Sequence, residues 1–278
     1  MMDDMDSFFL SELHIYPIKS LGGISLEKAR LEEKGLQYDR RWMLVDEEGT
    51  FITQRKYFEL ALLAVSISDN RLIISHKIQT NQSISFDLEE DNGTQIPVVI
   101  WNDTTAGVEV NTEVSNWFSD FLKFKVKLVK MPVAEKRMVD PRYALNDEVV
   151  SFADGYPCLL IGQSSLNGLN EKLQKPIRMD RFRPNFVFTG GTPHIEDQFD
   201  TFSIGGTLFS AVKPCARCVL ITIDQQTGEK GQEPLRTLAS YRTINKKILF
   251  GQNLLHQHSG IISIGDELKV INWKMENG

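Results

Sequence analysis

The apolar residues of this chain are broken into many short runs, and that pattern constrains the fold most. Over the first 110 residues, the runs 10–18, 29–33, 41–46, 61–68, 72–75, 83–88, 96–101 and 107–110 are rich in β-branched or alternating apolar residues. Turn signals separate them: Leu21-Gly22-Gly23, Glu48-Gly49, Asp69-Asn70 and Asp91-Asn92-Gly93. Strands of this length and spacing favour a β-barrel or sandwich. One helix interrupts them. Asn111 or Thr112 can cap it, and Val114, Trp117, Phe118, Phe121 and Leu122 recur at helical spacing on one face. A strand over 126–131 follows, then a polar stretch over 132–154 that reads as a long loop; a loop of that length is commonly functional or mobile.

The second part mixes elements. The pattern predicts a short helix capped by Ser164, with Leu166, Leu169 and Leu173 on one side. It predicts strands over 181–189, 207–212, 219–223, 248–256 and 261–271, and a helix from Pro234 through Tyr241. A boundary falls near residue 125. The acidic stretch Met1 to Ser7, followed only by Phe8, Phe9 and Leu10, is too short for a signal segment or a membrane span and reads as a frayed cytosolic terminus. The net charge of −6 argues against broad nucleic-acid binding but permits a local basic pocket. Three cysteines in 278 residues make no disulfide framework, so a reducing, cytoplasmic setting is expected.

Two of those cysteines stand together in Lys213-Pro214-Cys215-Ala216-Arg217-Cys218. Flanking cations favour thiolate, the form that binds soft metals or attacks electrophiles. Structural zinc is disfavoured, because His256 and His258 are two apart and Cys158 is isolated. A thioredoxin-like pair should open a helix, whereas Val219 to Ile223 looks like a strand. What remains is one thiol as a metal or cofactor ligand beside a packing thiol, or two small buried hydrophobes. Further along, Arg181, Arg183 and Asn185 alternate with Phe182, Phe186 and Phe188. The polar face would suit capture of a phosphate, or would be a solvated strand face; Pro184 marks an irregular position. Lys19 and Ser20 end a strand at a glycine turn and can cradle an anion, though most such turns are only turns. In Asp39-Arg40-Arg41-Trp42 at most one arginine can enter a shared pocket. Asp154 is a proton donor or, more commonly for this residue type, a turn cap.

Together Tyr16-Pro17-Ile18-Lys19-Ser20, Asp39-Arg40-Arg41-Trp42, Arg181-Phe182-Arg183-Pro184-Asn185, Cys215-Ala216-Arg217-Cys218 and the stretch from Asp224 to Leu235 resemble the MOSC family. The similarity is to members with an N-terminal β-barrel domain. That group includes the mitochondrial amidoxime-reducing component and bacterial enzymes that detoxify N-hydroxylated bases. The resemblance implies a mainly β fold with some α (α+β): a β-barrel-like domain over 1–125 packed on a MOSC β-barrel domain with a few short helices over 126–278. It implies a molybdenum cofactor (molybdenum–molybdopterin) between the two, with Cys218 as protein ligand and Cys215 as neighbour. Lys19, Ser20, Arg40, Arg183, Asn185 and Arg217 match positions that hold the pterin and its phosphate. Asp154 matches a carboxylate near the metal.

The implied activity is reduction of N-hydroxylated small molecules. The chain ends at Gly278 without the cysteine-rich ferredoxin-like domain of some relatives. Electrons are therefore expected from a separate flavoprotein, ferredoxin or cytochrome. The alternative is a molybdopterin or persulfide carrier without turnover. By homology a pyridoxal phosphate-like assignment is also possible.

Overall fold

A computed structural model of the chain describes residues 7–91 and 93–275. The acidic terminus through Asp6, and Asn92 of the Asp91-Asn92-Gly93 turn, lie outside the described residues. The fold is mostly β, with a closed seven-stranded barrel at one end. Its order runs Cys158–Gly162, Phe186–Thr189, Phe8–Ile15, Glu267–Trp273, Phe199–Ile204, Thr207–Ala216 and Lys247–His256. Cys158–Gly162 closes the ring. It pairs parallel with Phe186–Thr189 on one side and antiparallel with Lys247–His256 on the other. All five of its residues are buried, which explains its continuous apolar sequence. Phe186, Phe188, Phe199, Phe202 and Phe209 fill the barrel, each at most 1% exposed.

The first strand of the chain, Phe8–Ile15, thus belongs to a barrel otherwise built from residues 158–273. It leaves that barrel through Tyr16-Pro17-Ile18, and Lys19 N then donates to Trp42 O (2.8 Å) in the second lobe. There a four-stranded sheet runs Trp42–Val45, Lys127–Lys130, Asp103–Glu109, Gln95–Ile100. A three-stranded meander runs Leu63–Ser68, Arg71–His76, Ser83–Asp87. Helix Thr112–Leu122 packs between them. Asn111 caps it by accepting from Val114 N (2.8 Å), and Val114, Phe118 and Leu122 are buried against Leu128 and Phe86, as the helical spacing predicts. Each such side chain contributes about 1.5–3 kcal/mol through burial.

Several expectations need correction. Residues 219–223 form a 3₁₀ turn, Val219–Thr222, not a strand. Residues 181–189 hold only the short strand Phe186–Thr189, because Met179–Arg181 is a 3₁₀ turn and Arg183 takes a left-handed backbone (φ 55°). The run 261–271 is two strands, Gly260–Ser263 and Glu267–Trp273, split where Gly265 adopts φ +87°. The helix assigned to a Ser164 cap is Gln163–Asn170, capped at Gly162; Ser164 Oγ donates instead to Thr192 O (3.2 Å). The stretch 132–154 carries a small ladder, Arg137–Met138 against Val149–Val150. Among the described residues no helix is long and apolar enough to cross a membrane.

Glu196 is fully buried at the end of the barrel, where it accepts from Ser165 Oγ (2.7 Å) and Gly162 N (3.2 Å). Burial outweighs those hydrogen bonds and pushes its pKa up to about 7 from an ordinary 4.5. Between those values the folded state holds a proton that the unfolded state has lost. Stability should therefore fall as pH rises through that window, by on the order of 3 kcal/mol, and level off above it. A thermal-melting series across pH 4.5–8 checks this. Glu196→Gln should flatten the slope, and an unchanged slope would place its source elsewhere.

Candidate active site

Where the lobes meet, a crevice of about 330 Å³ opens. Lys19, Ser20, Arg40, Asp154, Arg183, Asn185, Arg217 and Cys218, eight residues scattered over 200 positions of sequence, all line it. The second lobe supplies Lys19, Ser20, Arg40, Thr53 and Arg55; the 153–159 segment, the barrel and the turns beside it supply the rest. Three of the contributing residues hold left-handed backbones: Ser20 (φ 73°), Arg40 (φ 49°) and Arg183 (φ 55°). Non-glycine residues in that region cost of order 1 kcal/mol or more each, and such strain concentrates at sites where side chains must be aimed.

The deep wall is organised by Tyr16 and Asp39. The Arg40 and Arg183 guanidiniums both lie over the Tyr16 ring, at 4.3 and 4.2 Å from its centre. Asp39, fully buried, accepts from Tyr16 N (2.8 Å) and from Arg40 Nη1 (2.6 Å). Arg183 has no carboxylate partner; its Nη1 donates to Leu21 O (2.7 Å). Burial, then the neighbouring Arg40 charge, lowers its pKa to about 10, so its charge is held at a cost near neutral pH. Asn185 knits the wall together. Its Oδ1 accepts from Arg40 Nη1 and Leu159 N (3.2 Å each), and its Nδ2 donates to His14 O (3.1 Å). It positions Arg40 across the junction of barrel and lobe.

The rim is organised by Asp154. Its Oδ1 accepts from Lys19 Nζ (2.5 Å) and from Trp101 Nε1 (3.2 Å). Trp101 in turn carries Arg55 over its ring at 4.1 Å. The Asp154 side chain is 70% accessible. Desolvation there would raise its pKa, but the Lys19 charge and hydrogen bond dominate and hold it well below the carboxylate range. Lys19 itself is buried, and its pKa is lowered by that burial against the pull of Asp154. Asp154 is thus the counter-ion of Lys19.

Arg137, which sequence reasoning missed, fixes this segment. It is 5% exposed, forks onto Asp103 (2.8 and 2.7 Å), and donates to Ser151 O (3.0 Å), Ala153 O (2.6 Å) and Asp154 O (3.2 Å). Its only sequence signal was an arginine within an otherwise polar loop.

The two neighbouring thiols differ. Cys215 is half-buried against the cluster around Phe182 and Phe250, and burial raises its pKa. Cys218 is exposed at the start of the Val219–Thr222 turn and opens on the crevice. Between them Arg217 donates Nε to Phe250 O (2.8 Å) and Nη1 to Phe182 O (2.9 Å), while its buried Nη2 has no partner among the described residues. An unpaired buried donor is costly and marks a place prepared for an acceptor. In all, Lys19, Arg40, Arg55, Arg183, Lys213 and Arg217 face Asp154 as the sole lining carboxylate. This concentration of cations lies inside a chain of net charge −6.

Residues 7–125 match the MOSC N-terminal beta barrel domain and residues 147–269 the MOSC domain. Mitochondrial amidoxime reducing component 2 of Rattus norvegicus is 32% identical over 92% of this chain and 81% of that protein. The chain belongs to the MOSC family. Mitochondrial amidoxime-reducing component 1 of Mus musculus is 29% identical to this MOSC protein, over 94% of the chain and 82% of the relative. The molybdenum cofactor sulfurase of Arabidopsis thaliana is 30% identical over 92% of this chain, which spans 34% of that longer protein. None of these descriptions names pyridoxal phosphate, and two carry the word mitochondrial, so neither the pyridoxal phosphate nor the cytoplasmic expectation draws support from them.

Proposed function

We propose that this MOSC protein is a molybdenum-cofactor-dependent reductase of N-hydroxylated compounds, with Cys218 as the protein ligand to the metal. The observation that carries this reading is an exposed thiol sharing one crevice with six cations and an orphaned arginine donor. A soft, anionic, phosphate-bearing cofactor fits that donor set: thiolate suits molybdenum, and guanidiniums suit phosphate. The names of the amidoxime-reducing relatives point the same way.

In this reading Cys218 Sγ, as thiolate, would be the protein's ligand to the metal. Arg183, Arg40, Arg217 Nη2 and Ser20 hold the pterin and phosphate, with Asn185 keeping Arg40 aimed. When bound, the cofactor supplies the redox chemistry that removes oxygen from an N–OH group. Overall, an N–OH compound, two electrons and two protons give the N–H compound and water. The electrons come from a separate flavoprotein, ferredoxin or cytochrome. Asp154 stays ionised and orients Lys19, whose buried ammonium is the proton-bearing group of the rim. Three free cysteines suit a reducing compartment such as the cytoplasm.

The test is metal content together with turnover. Protein made in a cofactor-competent host should hold molybdenum near one per chain and reduce benzamidoxime with a supplied electron donor. Absent metal with an extra sulfur on Cys218 would instead support the persulfide-carrier alternative, which the sulfurase relative favours. Arg183→Gln removes a charge-assisted contact of about 1.5–3 kcal/mol. It should lower molybdenum and pterin occupancy by about tenfold or more, measured by metal analysis. Undiminished occupancy would remove Arg183 from the phosphate site.

A further inference from the structure

Beside the crevice lies a second group of aromatic rings and charge, separate from the one around Tyr16: Lys213 and Tyr156 line the crevice, and Tyr143 adjoins them. Lys213, on strand Thr207–Ala216, places its Nζ 4.0 Å from the centre of the Tyr143 ring and 5.7 Å from that of Tyr156. The two rings meet edge to face at 6.1 Å. Among the described residues, no hydrogen bond or ion pair takes up the Lys213 ammonium. Asp140 on the same loop as Tyr143 is already held by Arg142 (3.0 and 2.6 Å). Tyr156 also lines the crevice, and its buried hydroxyl has no partner.

The charge balance gives this group a purpose. Of the six cations, Lys19 is paired with Asp154 and Arg40 with Asp39. Among the described residues, Arg55, Arg183, Lys213 and Arg217 have no carboxylate within ion-pair distance. One cofactor phosphate, with Arg183 and Arg217 beside it, leaves two: Arg55, stacked on the Trp101 ring at the rim, and Lys213, at a wall that also carries Cys215. An ammonium held beside two tyrosine rings joins an apolar surface to a positive charge, which complements an aromatic acid.

We propose that Lys213, Tyr156 and Tyr143 form a substrate subsite selecting aromatic compounds that carry a carboxylate. It rests on the reductase reading for the identity of the reacting group, but not for the binding itself. The carboxylate pairs with Lys213 Nζ, the substrate ring packs on the tyrosine wall, and the N–OH end is directed to the Cys218 side of the crevice. Cationic N-hydroxylated bases are disfavoured by the same charge.

The experiment compares neutral benzamidoxime with its 4-carboxylate, by calorimetric binding and by kcat/KM, on the cofactor-loaded protein at low and high salt. The carboxylate should bind about tenfold more tightly at low ionic strength, and the preference should shrink in ~0.5 M salt. Lys213→Met should bring the carboxylate-to-neutral ratio close to one in both measurements, Lys213→Arg should keep it, and Tyr156→Leu, which removes the ring, should weaken both ligands together. Circular dichroism and molybdenum content of each variant show that fold and loading are intact. A preference in binding without any turnover would keep the subsite and overturn the reductase reading. Turnover of both compounds with no preference, or a preference that survives Lys213→Met, would overturn the subsite.

Discussion

Cys218→Ser should lower reduction of N-hydroxylated substrates by at least about a thousandfold, while Cys215→Ser retains much of the rate. A hydroxyl is a harder and far less acidic donor than a thiol and does not replace thiolate at a soft metal. The two cysteines make an internal control. They are three residues apart, yet Cys215 packs against the Phe182–Phe250 cluster and Cys218 opens on the crevice. A purely structural role would predict the reverse order, because truncating the half-buried thiol would disturb packing more. The readout is turnover with a supplied electron donor alongside metal content. Equal losses in the two variants would remove Cys218 from its assigned role.

Asp39→Ala should destabilise the protein by about 3–5 kcal/mol, or ~10 °C in midpoint, whether or not cofactor is present. Asp39 is 0% exposed and is the carboxylate that answers Arg40; it also satisfies Tyr16 N. Removing it leaves Arg40 buried beside Arg183 with both guanidiniums on one ring. Combining Asp39→Ala with Arg40→Met should restore a large part of the loss, since the unanswered charge is gone; the Tyr16 amide stays unpaired and Arg183 O loses its donor from Arg40 Nη2. Denaturant titration of the single and double variants checks this. A double variant no more stable than Asp39→Ala alone would show that the cost comes from the backbone contact and not from the charge.

The parts of the site that were legible in the sequence are those where a local signal and the three-dimensional role coincide. Lys19 and Ser20 follow a strand and end at a glycine turn, and the structure puts them where the chain leaves the barrel for the second lobe. The opposed fates of Arg40 and Arg41 follow from their adjacency: Arg40 enters the crevice and Arg41 pairs with Glu32 (3.1 Å). Helix Thr112–Leu122 announced itself by cap and spacing.

Other parts were hidden for physical reasons. The alternation of Arg181, Arg183 and Asn185 with phenylalanines suggested one polar strand face, but the left-handed Arg183 before Pro184 breaks the period. Arg181 is drawn away to Asp224 (2.6 Å), while Arg183 turns inward. Strand Cys158–Gly162 closes the barrel by long-range pairing, which no local pattern reports. Strand Phe199–Ile204 did have a local signal, the Gly205-Gly206 turn that joins it to Thr207–Ala216 as a hairpin. The same holds for Arg137 and Asp39, whose importance lies in partners on other elements: Asp103 and three loop carbonyls for one, Tyr16 and Arg40 for the other. The β-branched run after Cys218 reads as strand, yet Val219–Thr222 tightens into a turn that leaves Cys218 exposed on the crevice.

The central claim concerns one bond, from the Cys218 sulfur to molybdenum. X-ray absorption at the molybdenum edge, on loaded wild-type protein and on loaded Cys218→Ser, measures it directly. The account predicts one sulfur neighbour fewer in the variant, with a light-atom neighbour or nothing in its place. An identical sulfur shell in the two proteins would contradict it.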